Sequence, residues 1–481
     1  MNIISPQIWK TAHISPILKK GDPTNPSNYR PIALTCIFCK IMETIIKNEM
    51  LSYLSENNII SSKQHAFLKK CSTTTNLLEC TREWSLALDC GKAVDIIYID
   101  FERAFDSIVH SELILKLTSI GTCDNLLRWI GCFISNRVQS VVVDNCVSDY
   151  CTVTSGIIQG SVLGPLLFIV FINDLTDILS TIVKLKLFAD DLKLFTCFHL
   201  CNQLLSNDLQ IILNEIFCWS VMWQLTINLS KCSCMRLLSR FRLSNTIPSY
   251  YLNGTLLAVT TNTRDLGIII DCKLAYTTHI STIVTKANQR VGLLFRGFKT
   301  RDIKIMRKAY ITYIRPLLEY NSVVWSPCTK KYIDLIEDVQ RHFTKRIPSL
   351  NSLSYPERLA AMKLQPLELR RLHSDLIQYF KIFNNMTPLN PSDFFTTRTA
   401  QKKMRNNGTT LLKPTKATNY IFHSFAVRSI NCWNNLPAEL KEPKSINTFK
   451  SKLRCIDLQS YLCGSNFTSL SDFTGIPDIV T

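Results

Sequence analysis

The chain has 481 residues, of which 46% are hydrophobic and 19% are charged, so it is long enough for two to four domains with large cores. Lys and Arg total 55 against 37 Asp and Glu, and the net charge of +18 favours a polyanionic partner, either nucleic acid or an acidic membrane surface. The longest apolar run, VLGPLLFIVFI from Val162, is too short to span a bilayer and no secretion signal is present, so we expect a soluble intracellular protein of the cytoplasm, the nucleus or both.

In chain order, the first predicted element is a helix over FCKIMETIIKNEMLSYLSENNII, where Ile41, Ile45 and Ile46 recur at helical spacing. A β-rich apolar run from Val94 to Ile99 follows and ends in Asp100. A buried strand of this kind places a carboxylate beside the neighbouring strands. On this segment alone, an ordinary polar strand end explains Asp100 equally well.

The stretch LKLFADDLKL, residues 185–194, predicts a β-hairpin because its apolar residues change from odd to even positions across two adjacent aspartates. If Ala189 and Asp190 form a two-residue loop, Leu187 pairs with Leu192 and Leu185 with Leu194. A polar turn explains an acid at this tip but not two of them. A divalent metal ion would explain both, provided that a third carboxylate joins them.

Later elements are a helix over DLQIILNEIFCWSVMW, a hairpin near residues 250–272 whose strands frame Asn253-Gly254, and a largely helical block at residues 286–346. That block contains 14 Lys and Arg and 5 Asp and Glu, a net of +9. It suits the neutralisation of phosphates, although a solvated basic face would have the same composition. Residues 398–416 carry six basic residues and no acid, which indicates a linker or a nucleic-acid-binding arm.

The 19 cysteines are an odd number in a chain without a secretion signal, which indicates reduced thiols rather than a disulfide framework. CIFC, with Cys36 and Cys39, and CFHLC, with Cys197, His199 and Cys201, have the spacing of zinc ligands. Neither has a second ligand pair at zinc-finger distance. Buried thiols are therefore the favoured interpretation and a zinc site the alternative.

The segments YIDFERAFDSIVH, SGIIQGSVLGPLLFIVFINDL and FADD resemble, in order and spacing, motifs A, B and C of the reverse transcriptases of non-LTR retrotransposons, jockey-like elements especially. WKTAHISPILKKGDPTNPSNYRPIAL resembles their finger-region motif, and INLSKC resembles motif D. IRPLLEYNSVVWSP, DVQRHFTKRIPSL and YPERLAAMKLQPLELRR are similar to the thumb and post-thumb region, and FAVRSINCWNNLP to the C-terminal segment. The resemblance covers nearly the whole chain. It implies an RNA-directed DNA polymerase with the α+β right-hand fold of fingers, palm and thumb.

The resemblance implies a two-metal site in which Asp100 and Asp190 bridge two Mg²⁺ ions and Asp191 is the third acid, with Mn²⁺ as the alternative metal. Two such ions, about 3.5–4 Å apart, stabilise the attacking and leaving oxygens of an in-line displacement at phosphorus. The implied partners are an RNA template, a DNA primer and deoxynucleoside triphosphates. It implies neither a membrane nor a stable protein partner.

The resemblance also implies substrate-contacting residues. Lys19 and Arg30 match finger residues that hold the triphosphate, Gln159 and Gly160 match motif B residues near the nucleotide, and Phe105 matches the ring that excludes a ribose 2′-hydroxyl. Without the resemblance, the two cations would be ordinary surface residues and Phe105 an ordinary core aromatic.

Lys231 matches the motif D lysine that is proposed to protonate pyrophosphate. A flexible loop lysine is the alternative interpretation.

Four positions depart from the family pattern. Ile158 replaces the usual proline of motif B, Arg103 replaces a lysine of motif A, Ala66 replaces the glycine that follows QH, and Asp265 replaces the tyrosine of the primer-grip pattern. None of them removes a predicted metal ligand. They put catalytic efficiency and primer handling in question more than the type of reaction.

The landmarks predict fingers at residues 1–90, palm at 91–245, a primer-grip region at 246–275, a basic helical thumb and post-thumb at 276–390, and a linker with a C-terminal segment at 391–481. No endonuclease, RNase H or zinc-knuckle pattern accompanies these parts, so we expect target cleavage to come from elsewhere. The alternative functions are a catalytically impaired retrotransposon remnant that at most binds nucleic acid, and a basic membrane-surface or structural protein. The latter leaves the acidic pair unexplained.

Overall fold

The structure is a computed structural model that describes residues 6–19, 21–178, 182–199, 205–239, 249–397, 410–414, 419–442 and 445–463. The predicted basic arm at residues 398–416 lies mostly outside them. The strands of the described residues are β1 (Thr11–Leu18), β2 (Tyr29–Leu34), β3 (Ala93–Ile99), β4 (Arg137–Val143), β5 (Cys146–Val147), β6 (Cys151–Val153), β7 (Lys184–Phe188), β8 (Asp191–Phe198), β9 (Ser233–Leu237), β10 (Tyr251–Leu252), β11 (Thr255–Leu256), β12 (Ala258–Val259), β13 (Asn262–Asp265), β14 (Ile268–Asp271), β15 (Thr396–Thr397) and β16 (Leu411–Leu412).

The α-helices of the described residues alternate with these strands in the first half of the chain and dominate the second half. They are α1 (Ile37–Glu56), α2 (Thr73–Asp89), α3 (Ala104–Ser107), α4 (His110–Ser119), α5 (Asp124–Ile134), α6 (Gly164–Ile172), α7 (Leu205–Met222), α8 (Thr277–Gly297), α9 (Ile303–Ala309), α10 (Arg315–Glu319), α11 (Ser322–Trp325), α12 (Lys330–Lys345), α13 (Tyr355–Met362), α14 (Leu367–Phe383), α15 (Pro391–Phe394), α16 (Asn419–Phe422), α17 (Phe425–Arg428), α18 (Ile430–Asn435), α19 (Ala438–Lys441) and α20 (Ile446–Leu453).

This mixture of sheets and helices confirms the predicted α+β class. The chain divides into two compact units. Unit 1 contains the described parts of residues 1–72, 95–234 and 246–260, and unit 2 contains those of residues 73–94, 235–245 and 261–481. The segment 73–94, predicted as the end of the fingers and the first residues of the palm, therefore belongs to unit 2, where the Thr74 hydroxyl donates a hydrogen bond to Asn321 Oδ1 at 2.5 Å. The proposed boundaries of fingers, palm and thumb stay predictions.

The predicted hairpin lies in a five-stranded sheet of order β12-β9-β3-β8-β7. Strand β3 is central and buried along almost its whole length, and apart from Asp95 and Tyr98 its residues are apolar, as expected of a strand that is covered on both sides. Strands β7 and β8 are antiparallel, and Leu187 pairs with Leu192 and Leu185 with Leu194, as the sequence predicts. Since β3 ends directly before Asp100 and β8 is its neighbour, the sheet brings motifs A and C together.

A second sheet has the order β2-β1-β4-β5, with β6 also paired to β4. Strands β1 and β2 are antiparallel, and Arg30 on β2 pairs with Ile17 on β1. Directly after β1, the Lys19 N–H group donates to the Asn28 carbonyl at 2.8 Å. The predicted triphosphate-binding residues are thus carried by adjoining strands of one sheet.

The predicted first helix is confirmed as α1, but the apolar residues that predict it are mostly exposed. Ile41 and Ile45 are 55% and 56% exposed, and Ile37 and Phe38 on the same stripe are 69% and 68% exposed. The buried face instead contains a carboxylate, Glu43, together with apolar side chains. Spacing identified the helix, whereas tertiary contacts decided which side faces the core.

Two further predictions are confirmed by the structure. The hairpin β10–β11 turns at Asn253-Gly254, whose φ angles of 50° and 72° suit the two-residue turn that the sequence signals. The basic block at 286–346 is helical, from within α8 to the end of α12, with a π-helical stretch at Tyr310–Ile314.

No helix of the described residues combines the length and the apolar character needed to cross a membrane.

Unit 2 contains a histidine that is buried as the neutral imidazole. His279 on α8 is 3% exposed, accepts a hydrogen bond at Nδ1 from the Ile269 N–H group at 3.3 Å, and meets Trp325 edge to face at 5.1 Å. Burial, assisted by the positive charges of Arg264 and Lys286, lowers the pKa of His279 from 6.5 to about 4. The fold therefore excludes a proton that the unfolded chain accepts.

We predict that His279 makes the protein acid-sensitive. Because the unfolded chain binds the additional proton below pH 6.5, the free energy of unfolding should fall as pH drops from 6.5 to about 4, by roughly 3 kcal/mol. His279→Asn keeps an acceptor near the Nδ1 position and cannot titrate. Urea unfolding of both proteins across this pH range tests the prediction, and parallel stability curves would contradict it.

Candidate active site

The tip of the β7–β8 hairpin is held in a strained conformation. Ala189 has φ +56°, in the left-handed region that disfavours residues other than glycine. The buried Gln64 stabilises this turn, because its Oε1 accepts hydrogen bonds from the N–H groups of Ala189 at 3.0 Å and of Ala66 at 2.9 Å. Two backbone hydrogen bonds also join Leu187 to this segment, since its N–H group donates to the Lys63 carbonyl at 3.0 Å and its carbonyl accepts from the His65 N–H group at 3.0 Å. The position of Asp190 is therefore fixed from two sides.

Asp100 is held just as firmly by the motif D turn. The Asn228 N–H group donates to the Asp100 carbonyl at 2.8 Å, and Phe101 forms a β-bridge with Ile227. This turn brings the Lys231 ammonium to 2.9 Å from Asp100 Oδ2. Both side chains are partly exposed, so the ion pair is open to solvent and contributes little to stability.

Asp190 is a carboxylate in an unfavourable electrostatic environment. Burial, together with the nearby charge of Asp100, raises the pKa of Asp190 above its usual value. The positive charges of Arg30 and Lys231 act in the opposite sense. Two neighbouring carboxylates, one of them partly buried, form an oxygen-rich site that favours a hard divalent cation, and the ammonium of Lys231 lies 2.9 Å from Asp100 Oδ2.

Asp191 is placed differently from the other two acids. It is the first residue of β8, its side chain is exposed, and its backbone pairs with Phe188. Within the described residues, no three His, Cys, Asp or Glu side chains lie close enough together to hold a metal ion as they stand. The structure thus brings Asp100 and Asp190 together as a pair, and the place of Asp191 as the third acid stays a prediction.

The motif B loop is fitted closely against motif A. A Cβ atom on Gly156, which has φ +89°, would lie 2.6 Å from the Asp106 carbonyl oxygen, so a side chain is excluded there. Gln159 Nε2 donates a hydrogen bond to Asp106 Oδ1 at 2.7 Å. A Cβ on Gly160, with φ +105°, would lie 2.6 Å from the Ala33 carbonyl oxygen. The loop that carries Gln159 therefore touches both motif A and the β1–β2 sheet.

The basic finger residues also approach the acids. The charge of Arg30 acts on Asp190, and the charge of Lys19 acts on Asp106. Both basic side chains are exposed, so they are open to a ligand. The predicted role of Lys19 and Arg30 in binding the triphosphate stays a prediction.

Phe105 is half-buried, and its ring stacks on Phe168 of α6 at 4.3 Å between centroids with 13° between the ring planes. Helix α6 is apolar all round and buried almost throughout, so Phe168 is a rigid support. The ring position of Phe105 is thus set by motif B. This arrangement is compatible both with a sugar-sensing ring and with an ordinary core aromatic.

Three supporting residues escape sequence reasoning. Gln64 holds the hairpin tip, Asp106 holds Gln159, and Glu43 of α1 accepts hydrogen bonds from the N–H groups of Val162 at 2.7 Å and Leu163 at 2.9 Å, at the N-terminus of α6. Each is a polar residue whose partner lies far away in sequence. The sequence carries no signal for Glu43 either, because the apolar spacing of α1 did not identify the buried face of the helix.

A comparison with protein families identifies the class. Residues 17–270 match the family model described as reverse transcriptase (RNA-dependent DNA polymerase), and the chain belongs to this family. The predicted resemblance is thereby confirmed. Membership implies a dependence on divalent metal ions in general, in agreement with the carboxylate pair.

The curated relatives of the chain include retrotransposon enzymes. The chain is 28% identical over 356 residues to a probable RNA-directed DNA polymerase from transposon BS of Drosophila melanogaster, and 28% identical over 354 residues to the RNA-directed DNA polymerase from mobile element jockey of Drosophila funebris. Each alignment covers 71% of this chain and 38% of the relative. The chain therefore spans well under half of the length of these relatives.

The chain also has a low similarity to two solved telomerase structures. Apo telomerase from Candida tropicalis has a TM-score of 0.42 at 11% identity, covering 75% of this chain and 63% of that one. Telomerase from Candida albicans, in complex with a fragment of telomeric RNA, has a TM-score of 0.38 at 14% identity, covering 80% of this chain and 65% of that one. Similarity at this level carries no argument about the site.

We predict that Gln64→Leu loosens the hairpin tip. Two buried N–H groups would lose their acceptor, and the expected loss in the free energy of unfolding is about 2–4 kcal/mol. Amide hydrogen exchange at Ala189 should accelerate more than at Leu194, further along β8. The matched variant Gln64→Glu keeps the accepting oxygen and should protect Ala189 better than the leucine does. Unchanged exchange at Ala189 in the leucine variant would show that the turn does not depend on the Gln64 hydrogen bonds.

Proposed function

We propose that this chain is the RNA-directed DNA polymerase of a non-LTR retrotransposon, which copies RNA into DNA by nucleotidyl transfer. The observation that carries the proposal is the convergence of Asp100 and Asp190, from a strand end and a strained hairpin tip, within one reverse transcriptase family match. The resemblance of the neighbouring motifs to jockey-like elements supports the RNA template and DNA primer as substrates.

Asp100 and Asp190 would hold two Mg²⁺ ions, with Asp191 as the third acid and Mn²⁺ as the alternative metal. When bound, such ions stabilise the attacking 3′-oxygen and the leaving pyrophosphate. The positive charges of Arg30 and Lys231 near Asp190 support an anion-rich substrate at this place. Carboxylates on two different elements suit this role because Mg²⁺ leaves most of its coordination to phosphate and water.

The remaining residues of the site bind and orient the substrate. Lys19, a point charge, and Arg30, a planar fork, hold the triphosphate of the incoming nucleotide. Gln159 lies beside the nucleotide, and Gly160 gives the backbone room for its approach. Lys231 gives a proton to the leaving pyrophosphate, and its exposure, with 59% of the side chain open to solvent, supports this role because the proton can be replaced from water.

The helical basic block at 286–346 would bind the template–primer backbone as a thumb. Part of its charge is engaged internally, since Arg301 donates to the Phe295 carbonyl at 2.7 Å and Arg341 pairs with Asp338 at 2.8 Å. Lys286, Arg296 and Lys299 are exposed on or just after α8. These residues are the candidates for phosphate contacts.

The alternative is a catalytically impaired remnant that keeps nucleic-acid binding. The two proposals differ in one measurement, which is primer extension on an RNA template with Mg²⁺ and deoxynucleotides. The retained carboxylate pair supports the active enzyme. Binding of template–primer without extension would favour the remnant.

We predict that Asp100→Ala and Asp190→Ala each abolish primer extension. Because these acids hold metal rather than nucleic acid, affinity for template–primer in Mg²⁺-free buffer should stay within a few-fold of wild type. Asp149→Ala, at an exposed aspartate between β5 and β6, is the matched control and should extend primers normally. Extension at the wild-type rate by either site variant would refute the assignment.

We predict that Phe105→Val admits ribonucleotides. Removing much of the ring opens space for a 2′-hydroxyl, and discrimination between deoxy- and ribonucleotides should fall by ~2–4 kcal/mol. The measurement is kcat/KM for matched deoxy- and ribonucleotides. Phe133→Val, in the core at α5, is the control for lost packing and should lower the melting temperature alone. An unchanged sugar preference in the Phe105 variant would make this residue an ordinary core aromatic.

A further inference from the structure

Lys116 on α4 is a buried cation with an unusual set of neighbours. Its side chain is 6% exposed, and its ammonium group donates hydrogen bonds to the Phe171 carbonyl and to Asp174 Oδ1, each at 2.6 Å. The same ammonium lies 4.6 Å from the ring centroids of Phe171 and Trp219 and 3.8 Å from a ring centroid of Trp223. Two acceptors and three aromatic side chains therefore enclose one positive charge.

This aromatic cage stabilises a charge on a side chain that is buried. The faces of aromatic rings attract a cation, and the attraction grows when the cation is removed from water. Burial lowers the pKa of Lys116 to about 8, while Asp174 and Glu112 act in the opposite sense. At neutral pH the ammonium form therefore predominates, and above pH 8 the neutral amine does.

Helix α6, which receives this charge, has polar anchors at both ends. The Phe171 carbonyl lies in its last turn, where a cation complements the helix dipole, and Glu43 accepts two N–H groups at its N-terminus, where an anion does. Asn173, directly after the helix, adds two neutral hydrogen bonds to the loop after α1. The helix itself is apolar all round. Because apolar contacts have no direction, these polar bonds set the position of α6 along its axis.

The position of α6 matters for motif A, because Phe168 in the middle of the helix supports Phe105. Their rings stack with 4.3 Å between centroids and 13° between the ring planes. A displacement of the helix by one residue along its axis would move Phe168 by about 1.5 Å. Aromatic pairs depend on a specific geometry, so such a displacement changes the support of the Phe105 ring.

We propose that Lys116 is a positioning residue, whose caged ammonium fixes the C-terminal end of α6 and so keeps the ring of Phe168 in place against Phe105. Lys116 acts through α6, since its ammonium is bonded to the last turn of that helix and to the residues that follow it. The consequence for sugar selection rests on the proposed polymerase function. The position of the Phe105 ring does not.

The first test observes residue 105 directly and needs no turnover. Para-fluorophenylalanine is incorporated at position 105 of the full chain, and its fluorine chemical shift is recorded from about pH 6.5 to about pH 9.5, a range that brackets the pKa of Lys116. Loss of the Lys116 proton should change the shift with a midpoint near pH 8. A wild-type shift that stays constant over this range would overturn the proposal.

The variant Lys116→Met provides the uncharged state at every pH. Its side chain is of similar length, and its sulfur packs favourably against aromatic rings. We expect one fluorine shift across the whole range, near the value that wild type reaches above pH 8. Lys69→Met, at an exposed lysine of the loop before α2, is the matched control and should titrate as wild type does. A Lys116→Met shift that titrates like that of wild type would overturn the proposal.

A second variant assigns the titration to Lys116 rather than to another group. The acids acting on its ammonium are Asp174 and Glu112, whereas the charged residues of the neighbouring α5, Asp124 and Arg128, are exposed. Asp174→Asn removes a negative charge that favours the ammonium form, so the midpoint should move to lower pH. A midpoint that stays in place would assign the change to a different group and overturn the proposal.

The final test measures sugar selection as the ratio of kcat/KM for matched deoxy- and ribonucleotides. At neutral pH, Lys116→Met should lower this ratio about 3- to 10-fold, the factor that one aromatic pair contributes. In a Phe168→Leu background, Lys116→Met should have no further effect. If wild type extends no primer, the polymerase proposal fails, and the fluorine shifts still decide the role of Lys116. An equal fall in both backgrounds would show that Lys116 does not act through Phe168 and would overturn the proposal.

Discussion

The site depends on holding two like charges close together, one of them on a partly buried residue. Asp100 and Asp190 repel each other, and burial adds to the free energy of keeping Asp190 ionised. A flexible chain would relax by moving them apart. Here the end of β3 and a tight hairpin leave neither residue that freedom, and the strained φ of Ala189 is the local conformational penalty. The supporting contacts of unit 1 serve to maintain this unfavourable pair.

Those contacts come from segments that are far apart in the chain. Gln64 reaches the hairpin from the loop after α1, and Glu43 reaches the N-terminus of α6 from α1 itself. A carboxylate at that terminus satisfies N–H groups that a helix cannot bond internally, and it complements the helix dipole. The segment between β2 and α2 thus contacts motifs B and C, although it contains none of the predicted metal ligands.

The parts of the fold that follow from local pattern could be predicted from the sequence. The apolar residues change from odd to even positions around Ala189, and this change predicted both the β7–β8 hairpin and its residue pairs. Asn253-Gly254 predicted the second hairpin. Both predictions were possible because a turn constrains only its immediate neighbours. The family resemblance supplied Asp100 and Asp190. Gln64 and Asp106 could not be predicted, because a polar side chain at an unremarkable spacing carries no sign of its distant partner. For α1, periodicity predicted the helix but did not specify the face that packs against the core.

The exposed stripe of α1 has a consequence for the behaviour of the protein in solution. Ile37, Phe38, Ile41 and Ile45 present a continuous aliphatic and aromatic strip to water, and each is more than half exposed. A strip of this kind promotes self-association, and salts that strengthen hydrophobic contacts increase the effect, while low salt lets the positive net charge keep molecules apart. The colloidal stability of the purified chain should therefore be greatest at low ionic strength, the same condition under which a basic protein binds nucleic acid most tightly.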